Sequence, residues 1–360
     1  MRVGLVIYGS LATVSGGYLY DRQLVAHLEQ QGDEVAIIAL PWRSYGRHLL
    51  DNLSADLPRR MNGGFDVVLQ DELNHPSLAW ANGRLRRGPH PPIVAIVHHL
   101  RASEQRPAWQ NWFYRRVERR YLRTADAFIF NSQTTRREVE ALTGRARPHI
   151  VAYPGGDRLG PPATLSLEAR ANQSPFRLLF VGNVIPRKGS HDLVAALARV
   201  KGDWTLTIVG SVAVDATYVR HVRELAAQAG IGERLIWRGG LPDNELAAEM
   251  AAAHVLAVPS AYEGFGIVYL EGMGFGLPAL ATTAGAAAEI VTDGGNGYLV
   301  PPGDVVALAA RIQSLLDDRA LLARLSAAAV AGYAHRPTWA ETTAAMRQFL
   351  VTIARQPEGG

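Results

Sequence analysis

The sequence predicts an α/β protein that contains two doubly wound parallel sheets. Short, continuous apolar runs alternate with helical patterns along both halves of the chain, as expected of parallel strands that are buried on both faces. The 360 residues are 48% hydrophobic and 19% charged, which is enough for two domains with sizeable cores. A segment rich in Pro, Gly and Ser at 154–175 has linker composition and separates the two halves.

The apolar runs give the elements in order. The first half contains RVGLVIYG, EVAIIAL, FDVVLQD, IVAIVHHL, AFIFNS and HIVAY, and the second contains RLLFVG, TLTIVG, LIWRGG, HVLAVPS, PALATT and GYLV. We therefore place an N-terminal domain at 1–158 and a C-terminal domain at 159–335. The segment 338–356 is typical of one last helix with Thr338 as its N-cap, and we expect it to pack back towards the N-terminal domain.

Composition excludes several classes of protein. The chain has no cysteine, which excludes disulfides, thiolate zinc sites and a cysteine nucleophile. The start of the chain is too short an apolar run for a signal sequence, and the most apolar stretch, 264–288, is interrupted by Glu271 and Pro278. We therefore expect a cytoplasmic protein. Residues 1–170 carry 22 arginines and no lysine against 16 acidic residues, which favours an anionic partner on that half only.

The strongest functional signal follows the run HVLAVPS. Glu263 and Glu271 flank the turn at 264–266, which can open a helix. Glycines let a ligand approach the backbone, and N–H groups at a helix start attract phosphate. The two carboxylates would suit hydrogen bonds to sugar and ribose hydroxyls.

A second signal follows the run RLLFVG. Arg187 and Lys188 stand just before a helical pattern, where two cations can neutralise a diphosphate without a metal ion. The chain also lacks the Asp-x-Asp pair that usually holds a metal against a nucleotide diphosphate. We therefore expect no metal site and no cofactor.

Together these segments carry a resemblance to a known family. GNVIPRKG, SAYEGFGIVYLE, GMGFGLPALATTAGAAAEIV and NGYLVPPGD resemble the C-terminal domain of family 4 retaining glycosyltransferases, which have the GT-B fold of two Rossmann-like domains facing a central cleft. The N-terminal half is similar more loosely, through GGYLYDRQLVAHLEQQGDEV, IVHHL, FIFNSQTTRREV and VAYPGGD. The resemblance implies an acceptor-side N-terminal domain and a donor-binding C-terminal domain.

The resemblance also implies site residues. Arg187 and Lys188 would bind the donor pyrophosphate, and Glu271 the ribose. The full set implied for the donor is Gly16, Gly17, Gly182, Asn183, Arg187, Lys188, Glu263, Gly264, Phe265, Gly266 and Glu271. Gly16 and Gly17 would lie against the phosphates or the acceptor, with a plain turn as the alternative. Asn183 stands where many members have Arg, Gly272-Met273-Gly274 replaces Ala-Met-Ala, and Ala284-Gly285-Ala286 replaces Gly-Gly.

Two histidines end the run IVAIV. Many family members have a His-Asp pair here that contacts the transferred sugar or the acceptor, so the resemblance makes His98 a catalytic candidate beside Glu263, Arg187 and Lys188. His99 takes the place of the aspartate and is the weaker candidate. The alternative for either histidine is a hydrogen-bonded structural role.

The segment 107–123 predicts an amphipathic helix. On a helical wheel Trp109, Phe113, Val117, Tyr121 and Tyr114 share one arc, and five arginines share another, with Trp112 among them. A tryptophan on a cationic face suits an anionic acceptor or a lipid headgroup surface, so we expect peripheral association with the inner face of the membrane. The alternative is a packed helix with a solvated basic face.

The leading hypothesis is a retaining, metal-independent glycosyltransferase that moves a hexose-type sugar from a nucleoside diphosphate sugar to a sugar, lipid or other hydroxyl acceptor. The alternatives are a non-catalytic sugar-nucleotide-binding protein and a nucleotide-sugar epimerase or phosphorylase of the same build. An oxidoreductase is disfavoured because no Gly-x-Gly-x-x-Gly turn follows the first strand. A nucleic-acid partner is disfavoured because only one helix carries the basic pattern.

Overall fold

The computed structural model describes residues 1–160 and 166–355. The chain divides into two compact units: unit 1 contains Met1–Pro154 and the segment from Trp339 onwards, and unit 2 contains Gly155–Thr338. Part of the expected linker, 161–165, and the expected last helical residue, 356, lie outside the described residues.

Each of the twelve predicted apolar runs contains a strand. In unit 1 the strands are β1 (Arg2–Tyr8), β2 (Glu34–Leu40), β3 (Val67–Asp71), β4 (Ile93–Val97), β5 (Ala127–Phe130) and β6 (His149–Val151). In unit 2 they are β7 (Phe176–Val181), β8 (Trp204–Val209), β9 (Leu235–Gly239), β10 (Val255–Ala257), β11 (Ala279–Thr282) and β12 (Gly297–Val300).

The helices connect these strands. Those of unit 1 are α1 (Gly16–Gln30), α2 (Tyr45–Asp51), α3 (Asp56–Met61), α4 (His75–Leu78), α5 (Ala81–Leu85), α6 (Ala108–Leu122), α7 (Gln133–Thr143) and, at the end of the chain, α15 (Trp339–Ala354). Those of unit 2 are α8 (Leu167–Ala171), α9 (Ser190–Leu197), α10 (Ala216–Gln228), α11 (Asp243–Ala252), α12 (Ile267–Gly274), α13 (Val305–Asp317) and α14 (Arg319–Tyr333).

Each unit has one six-stranded parallel sheet. The strand order is β2-β1-β3-β4-β5-β6 in unit 1 and β12-β11-β10-β7-β8-β9 in unit 2. Parallel strands need crossover connections, and the helical segments between the apolar runs supply them. The predicted α/β class with two doubly wound sheets is confirmed.

The chain order reverses direction once within each sheet. This switch point lies between β1 and β3 in unit 1 and between β7 and β10 in unit 2. Open α/β sheets bind ligands outside the carboxyl ends of the strands at such a point, so these two edges are where a site is expected.

Burial explains why the strands read as continuous apolar runs. Every residue of β3, β4 and β5 is buried, because helices cover both faces of a parallel sheet. The last helix, α15, packs against α1 and belongs to unit 1. Among the described residues, no helix combines the length and apolar character that crossing a bilayer requires.

Candidate active site

The candidate residues of unit 2 lie at its switch point. Arg187 and Lys188 form a short turn directly after β7, and Glu263 lies in the loop after β10. The carboxyl ends of neighbouring parallel strands meet at the same edge of a sheet, so the two sequence signals come from loops that are adjacent in space.

Backbone contacts hold these two loops together. Gly189 has φ +70°, and a Cβ at this position would lie 2.1 Å from the carbonyl oxygen of Pro259. Only glycine fits such an approach without strain. The Ala261 N–H also donates to the Arg187 carbonyl oxygen at 2.8 Å. The position of Lys188 relative to Glu263 is therefore set by the backbone on both sides.

Glu263 is the centre of a buried ion-pair cluster. Lys188 Nζ donates to Glu263 Oε1, and Ser260 Oγ donates to the same oxygen at 2.6 Å. Arg187 Nη1 lies 3.7 Å from Glu263 Oε2 and donates to the Tyr262 carbonyl oxygen at 2.8 Å. Two cations thus share one carboxylate, which leaves net positive charge at this edge of the sheet.

The pKa shifts follow from this arrangement. Burial alone would raise the pKa of Glu263, but the charges of Lys188 and Arg187 and the hydrogen bonds from Lys188 and Ser260 lower it to about 2. Burial, with the neighbouring Arg187, also lowers the pKa of Lys188, although the Glu263 carboxylate opposes that shift. Glu263 is therefore a carboxylate at neutral pH and a weak base.

The predicted helix after the glycine turn is present. It is α12, and it begins after Gly266, which has φ +98° and provides no side-chain cap for the first turn. The backbone of Glu263 is fixed from the other side, because the Ala286 N–H donates to its carbonyl oxygen at 2.8 Å. The segment Ala284-Gly285-Ala286, which departs from the Gly-Gly of the resembled family, thus keeps a backbone contact with the site.

Glu271 lies in a different ion-pair network from Glu263. Arg158 Nε donates to Glu271 Oε1 at 2.8 Å, and the same guanidinium donates to Asp243. Burial raises the pKa of Glu271, and Arg158 partly offsets this. The sequence did not indicate Arg158, since an arginine in a Pro and Gly-rich segment has no periodic signal. The two predicted glutamates, one in the loop before α12 and one within the helix, are therefore held by separate cations.

The remaining donor candidates line the same turn or its neighbours. Gly182 follows β7, and a Cβ there would lie 3.4 Å from Lys188 Cε, which places it against the lysine side chain. The Asn183 carbonyl oxygen accepts from the Ile185 N–H at 2.9 Å within that turn. Phe265 is buried in the loop before α12. Gly182 thus packs against Lys188, whereas Glu271 pairs with a different cation, Arg158.

In unit 1 the candidate residues also lie at the switch point. His98 follows β4, and Gly16 and Gly17 begin α1, which follows β1. A Cβ on Gly17 would lie 3.1 Å from His98 Cδ2, so the helix start passes close to the imidazole. His98 Nε2 lies 3.5 Å from Asp21 Oδ1, and Asp21 is fully buried.

Asp21 was not predicted from the sequence. It follows Gly17 by one helical turn, so the two positions share a face of α1, and that spacing could have indicated it. Within the described chain neither Asp21 oxygen accepts a hydrogen bond. Burial alone would lower the pKa of His98, but Asp21 and Asp71 raise it above its usual value. Burial and the Asp21 charge raise the pKa of Asp71 to about 7.

His99 belongs to a loop network instead. Its Nε2 lies 3.1 Å from Glu104 Oε1, and Glu104 also pairs with Arg106. The structure therefore separates the two histidines by partner: His98 contacts the buried carboxylates at the sheet edge, and His99 contacts a carboxylate of the following loop.

Among the residues that the structure describes, two groups of side chains in unit 1 have the composition of a divalent-metal site. The ligand atoms of Asp21, Asp71 and His98 lie within 4.8 Å of one another, and so do those of a second group, Glu72, His75 and Glu118. Burial is the largest cause that raises the pKa values of Glu72 and Glu118 to about 8. Protons can therefore balance much of this buried charge, and the expectation of no metal stays a prediction.

Two family descriptions match the chain, one in each half. "Glycosyl transferase 4-like domain" matches residues 11–156, and "Glycosyl transferases group 1" matches residues 166–331. The D-inositol 3-phosphate glycosyltransferase of Xylanimonas cellulosilytica is 32% identical over 241 residues, which are 64% of this chain and 57% of that protein. The MMP alpha-(1->4)-mannosyltransferase of Mycolicibacterium hassiacum is 30% identical over 289 residues, which are 73% of this chain and 67% of that protein.

The fold is similar to solved structures along nearly the whole chain. The sucrose-phosphate synthase of Thermosynechococcus elongatus has a TM-score of 0.83 at 24% identity, covering 98% of each chain. The Anabaena protein HepE in complex with UDP-glucose has a TM-score of 0.80 at 23% identity, covering 98% of this chain and 100% of that one. At these identities the likeness concerns the fold, and it agrees with the two Rossmann-like units described above.

Proposed function

This chain belongs to glycosyltransferase family 4, which has the GT-B fold, and we propose that it transfers a hexose-type sugar from a nucleoside diphosphate sugar to an acceptor hydroxyl. The anomeric configuration is retained, and no metal ion takes part. The observation that carries the proposal is the cluster of Arg187, Lys188 and Glu263 at the switch point of unit 2.

The cations of this cluster are placed to stabilise a leaving diphosphate. Negative charge develops on the phosphate as the glycosidic bond breaks, and fixed positive groups lower the barrier when they lie where that charge appears. Arg187 and Lys188 supply the positive groups, and the uncapped first turn of α12 supplies backbone N–H groups. Because two cations share the Glu263 carboxylate, the cluster remains attractive to an anion.

Retention is supported by the low basicity of Glu263. A carboxylate with a pKa of about 2 that is bound by Lys188 and Ser260 is a poor base and a poor nucleophile. We propose that Glu263 instead accepts hydrogen bonds from sugar hydroxyls. The acceptor oxygen then bonds to the anomeric carbon on the face that the phosphate leaves, and the hydroxyl proton passes to the departing phosphate oxygen.

His98 is the proposed substrate contact of unit 1. We propose that its imidazole contacts the transferred sugar or the acceptor and that Asp21 holds it from behind. Because the carboxylates raise its pKa, His98 carries more positive charge near neutral pH than an isolated histidine. It then acts as a hydrogen-bond donor to the substrate.

The donor can be identified by ligand-induced stabilisation. We expect one of UDP, GDP, ADP or dTDP to raise the melting temperature in the presence of EDTA, because a ligand at a hundredfold excess over Kd adds about 2.7 kcal/mol to the free energy of unfolding. UDP is the first choice to try, since the similar HepE fold binds UDP-glucose. Stabilisation only with added magnesium would contradict the metal-independent proposal.

A matched pair of variants tests the cluster. Arg187→Ala with Lys188→Ala should abolish the nucleotide-induced shift. Arg199→Ala with Lys201→Ala is the control, since it also removes one arginine and one lysine from unit 2. Both of these side chains are exposed. If the nucleotide raises the melting temperature of both double variants equally, Arg187 and Lys188 do not form the diphosphate site.

Turnover distinguishes the remaining functions. A transferase releases nucleoside diphosphate only when the acceptor is present, whereas an epimerase changes the sugar without an acceptor and a binding protein does neither. Proton NMR of the first product then gives the anomeric configuration. Inversion of that configuration would contradict the proposed same-face reaction.

A further inference from the structure

Helix α6 has an outer face that carries tryptophans in its first turns and arginines in the following turns. At about 100° per residue, its exposed residues fall within one arc of about 160°. The exposed residues are Ala108, Trp109, Trp112, Phe113, Arg115, Arg116, Arg119 and Arg120, and the exposed C-cap Arg123 follows them. The buried side of α6 consists of Val117, Glu118, Tyr121 and Leu122. Aromatic and cationic side chains thus share the surface that α6 presents outwards.

Trp109 and Phe113 share an arc of the helical wheel with Val117 and Tyr121, but only the latter two are buried. Trp109 is 70% exposed, Trp112 is 60% exposed and Phe113 is 39% exposed. Val117 and Tyr121, which are neighbours of Phe113 on the wheel, belong to the buried face of α6. Large aromatic groups in contact with water are costly to leave uncovered, so their presence beside arginines indicates a surface that is covered in use.

The charge of this face is of one sign. The carboxylate of α6, Glu118, is fully buried and accepts from the backbone N–H groups of Arg101 and Ala102. The exposed face of α6 therefore carries arginines without a compensating acid on the same helix. Such a face attracts an anionic partner.

The face continues beyond α6. The Arg120 guanidinium lies over the Trp80 ring at 5.0 Å. The backbone N–H of Trp80 donates to Asn52 Oδ1 at 2.8 Å. Asn52 is flanked by Leu50 and Leu53, which are 61% and 77% exposed. We name Trp80, Trp109, Trp112, Phe113 and the arginines at 115, 116, 119 and 120 the tryptophan–arginine face. Aliphatic side chains follow it at one edge.

We propose that the tryptophan–arginine face docks this protein on the surface of an anionic lipid bilayer. Tryptophan has an apolar body with one polar N–H and is favoured at the headgroup level, and arginine pairs with lipid phosphates. Leu50 and Leu53 gain from entering the acyl boundary, but they would gain nothing from stacking on nucleic-acid bases. The inference is independent of the proposed transferase activity, because vesicle binding needs no turnover.

Vesicle binding is the direct test. Full-length protein is mixed with vesicles of phosphatidylcholine alone or with about one third phosphatidylglycerol. We expect co-sedimentation only with the anionic vesicles, weaker binding as salt rises, and a blue shift of tryptophan emission on binding. Protein that stays in the supernatant with anionic vesicles at low salt would overturn the proposal.

Two arginine pairs with the same spacing provide the variant and its control. Arg116→Gln with Arg119→Gln should weaken the partition into anionic vesicles by more than about tenfold, since each arginine near such a surface contributes about fivefold. Arg220→Gln with Arg223→Gln on α10 should leave it unchanged. Both pairs contain one arginine over a tryptophan, with Arg116 4.9 Å from Trp112 and Arg223 4.8 Å from Trp237. Equal losses in both variants would mean non-specific charge attraction and would overturn the proposal.

The aromatic contribution is tested separately. Trp109→Ala with Trp112→Ala should strongly reduce the emission shift, leaving the contribution of Trp80, and weaken binding by about tenfold, because the remaining arginines bind the headgroups with less insertion. Val214→Ala with Val306→Ala, which removes exposed apolar groups from unit 2, should change neither readout. A single-stranded oligonucleotide that binds more tightly than the vesicles, and depends on the same residues, would overturn the lipid assignment in favour of a nucleic-acid surface.

Discussion

Buried carboxylates near the two switch points of this molecule have pKa shifts in opposite directions. In unit 2, Glu263 is buried beside Lys188 and Arg187, and its pKa falls to about 2. In unit 1, Asp71 and Glu118 are equally buried, the opposing effect of a neighbouring histidine is smaller than that of burial, and their pKa values rise to about 7 and 8. Burial favours the neutral form in all three cases, so the difference arises from the partners.

This difference separates two uses of acidic side chains. A carboxylate held between cations stays charged at neutral pH and can position those cations for an anionic ligand. A carboxylate buried among other carboxylates keeps its proton and can donate a hydrogen bond. The same residue types thus give a charged, preorganised edge in unit 2 and a proton-holding edge in unit 1.

The largest expected effect comes from separating the ion pair in unit 2. Lys188→Met should reduce the free energy of unfolding by about 3–5 kcal/mol at pH 7, because it leaves a buried carboxylate short of a partner. Glu263→Gln should reduce the free energy of unfolding by about 3 kcal/mol at the same pH. The folded-state pKa lies below the ordinary 4.5, so this contribution is complete above about pH 5 and is lost as pH falls towards 2.

The double variant sharpens the result. Lys188→Met with Glu263→Gln removes both charges, so we expect its stability in chemical denaturation to recover most of the loss of either single variant. Nucleotide binding should stay lost, since the cation is gone. If the two single losses simply add, the buried pair is not the origin of the low pKa.

A smaller effect of opposite sign is expected in unit 1. Asp71→Asn should increase the free energy of unfolding at pH 8 by about 2–4 kcal/mol and by less at pH 5. Folded Asp71 keeps its proton up to about pH 7, so the wild-type protein loses stability as pH rises from about 4 to 7. The side-chain oxygen that accepts from the Leu73 N–H at 2.9 Å is retained in asparagine.

Denaturation at both pH values, with and without EDTA, provides the measurement. A gain of equal size at pH 5 and pH 8 would contradict the proton-holding assignment. Loss of stability in EDTA would instead indicate that a divalent cation balances the carboxylates of unit 1.

The smallest expected effect concerns His98. Asp21→Asn should lower the pKa of His98 by about one unit, as followed by NMR of the imidazole protons, because it removes an opposite charge 3.5 Å away. The pH profile of turnover should move with it. Asp192→Asn removes a carboxylate at the same separation from His191, outside the site, and should change neither. An unchanged His98 titration in Asp21→Asn would mean that Asp21 has only a packing role.

The fold could be read almost completely from the sequence, and the reason is physical. Strands such as IVAIV are buried on both faces, so hydrophobicity alone marks them, and the helices between them force parallel pairing. The wheel of α6 left the burial of Trp109 and Phe113 undecided, because both have the side chains of core residues and only tertiary packing decides whether such a face is covered.

The site could be predicted only where a loop motif marks it. Arg187 and Lys188 directly precede Gly189, and Glu263 lies three residues before Gly266; both glycines have positive φ, and the structure brings the three side chains together. Asp21 and Arg158 were not indicated, since their partners His98 and Glu271 are distant along the chain. Ion pairs between distant segments follow from the fold and have no local pattern.

The return of α15 to unit 1 has a consequence for biosynthesis. Its Trp339 ring lies 5.9 Å from the Tyr20 ring, and Arg347 Nε donates to Asp33 Oδ2 at 2.7 Å. These contacts join the first helical region to residues that the ribosome adds after the whole of unit 2. Unit 2 is continuous in sequence and can complete its core on the nascent chain, whereas unit 1 must wait for its closing helix to emerge.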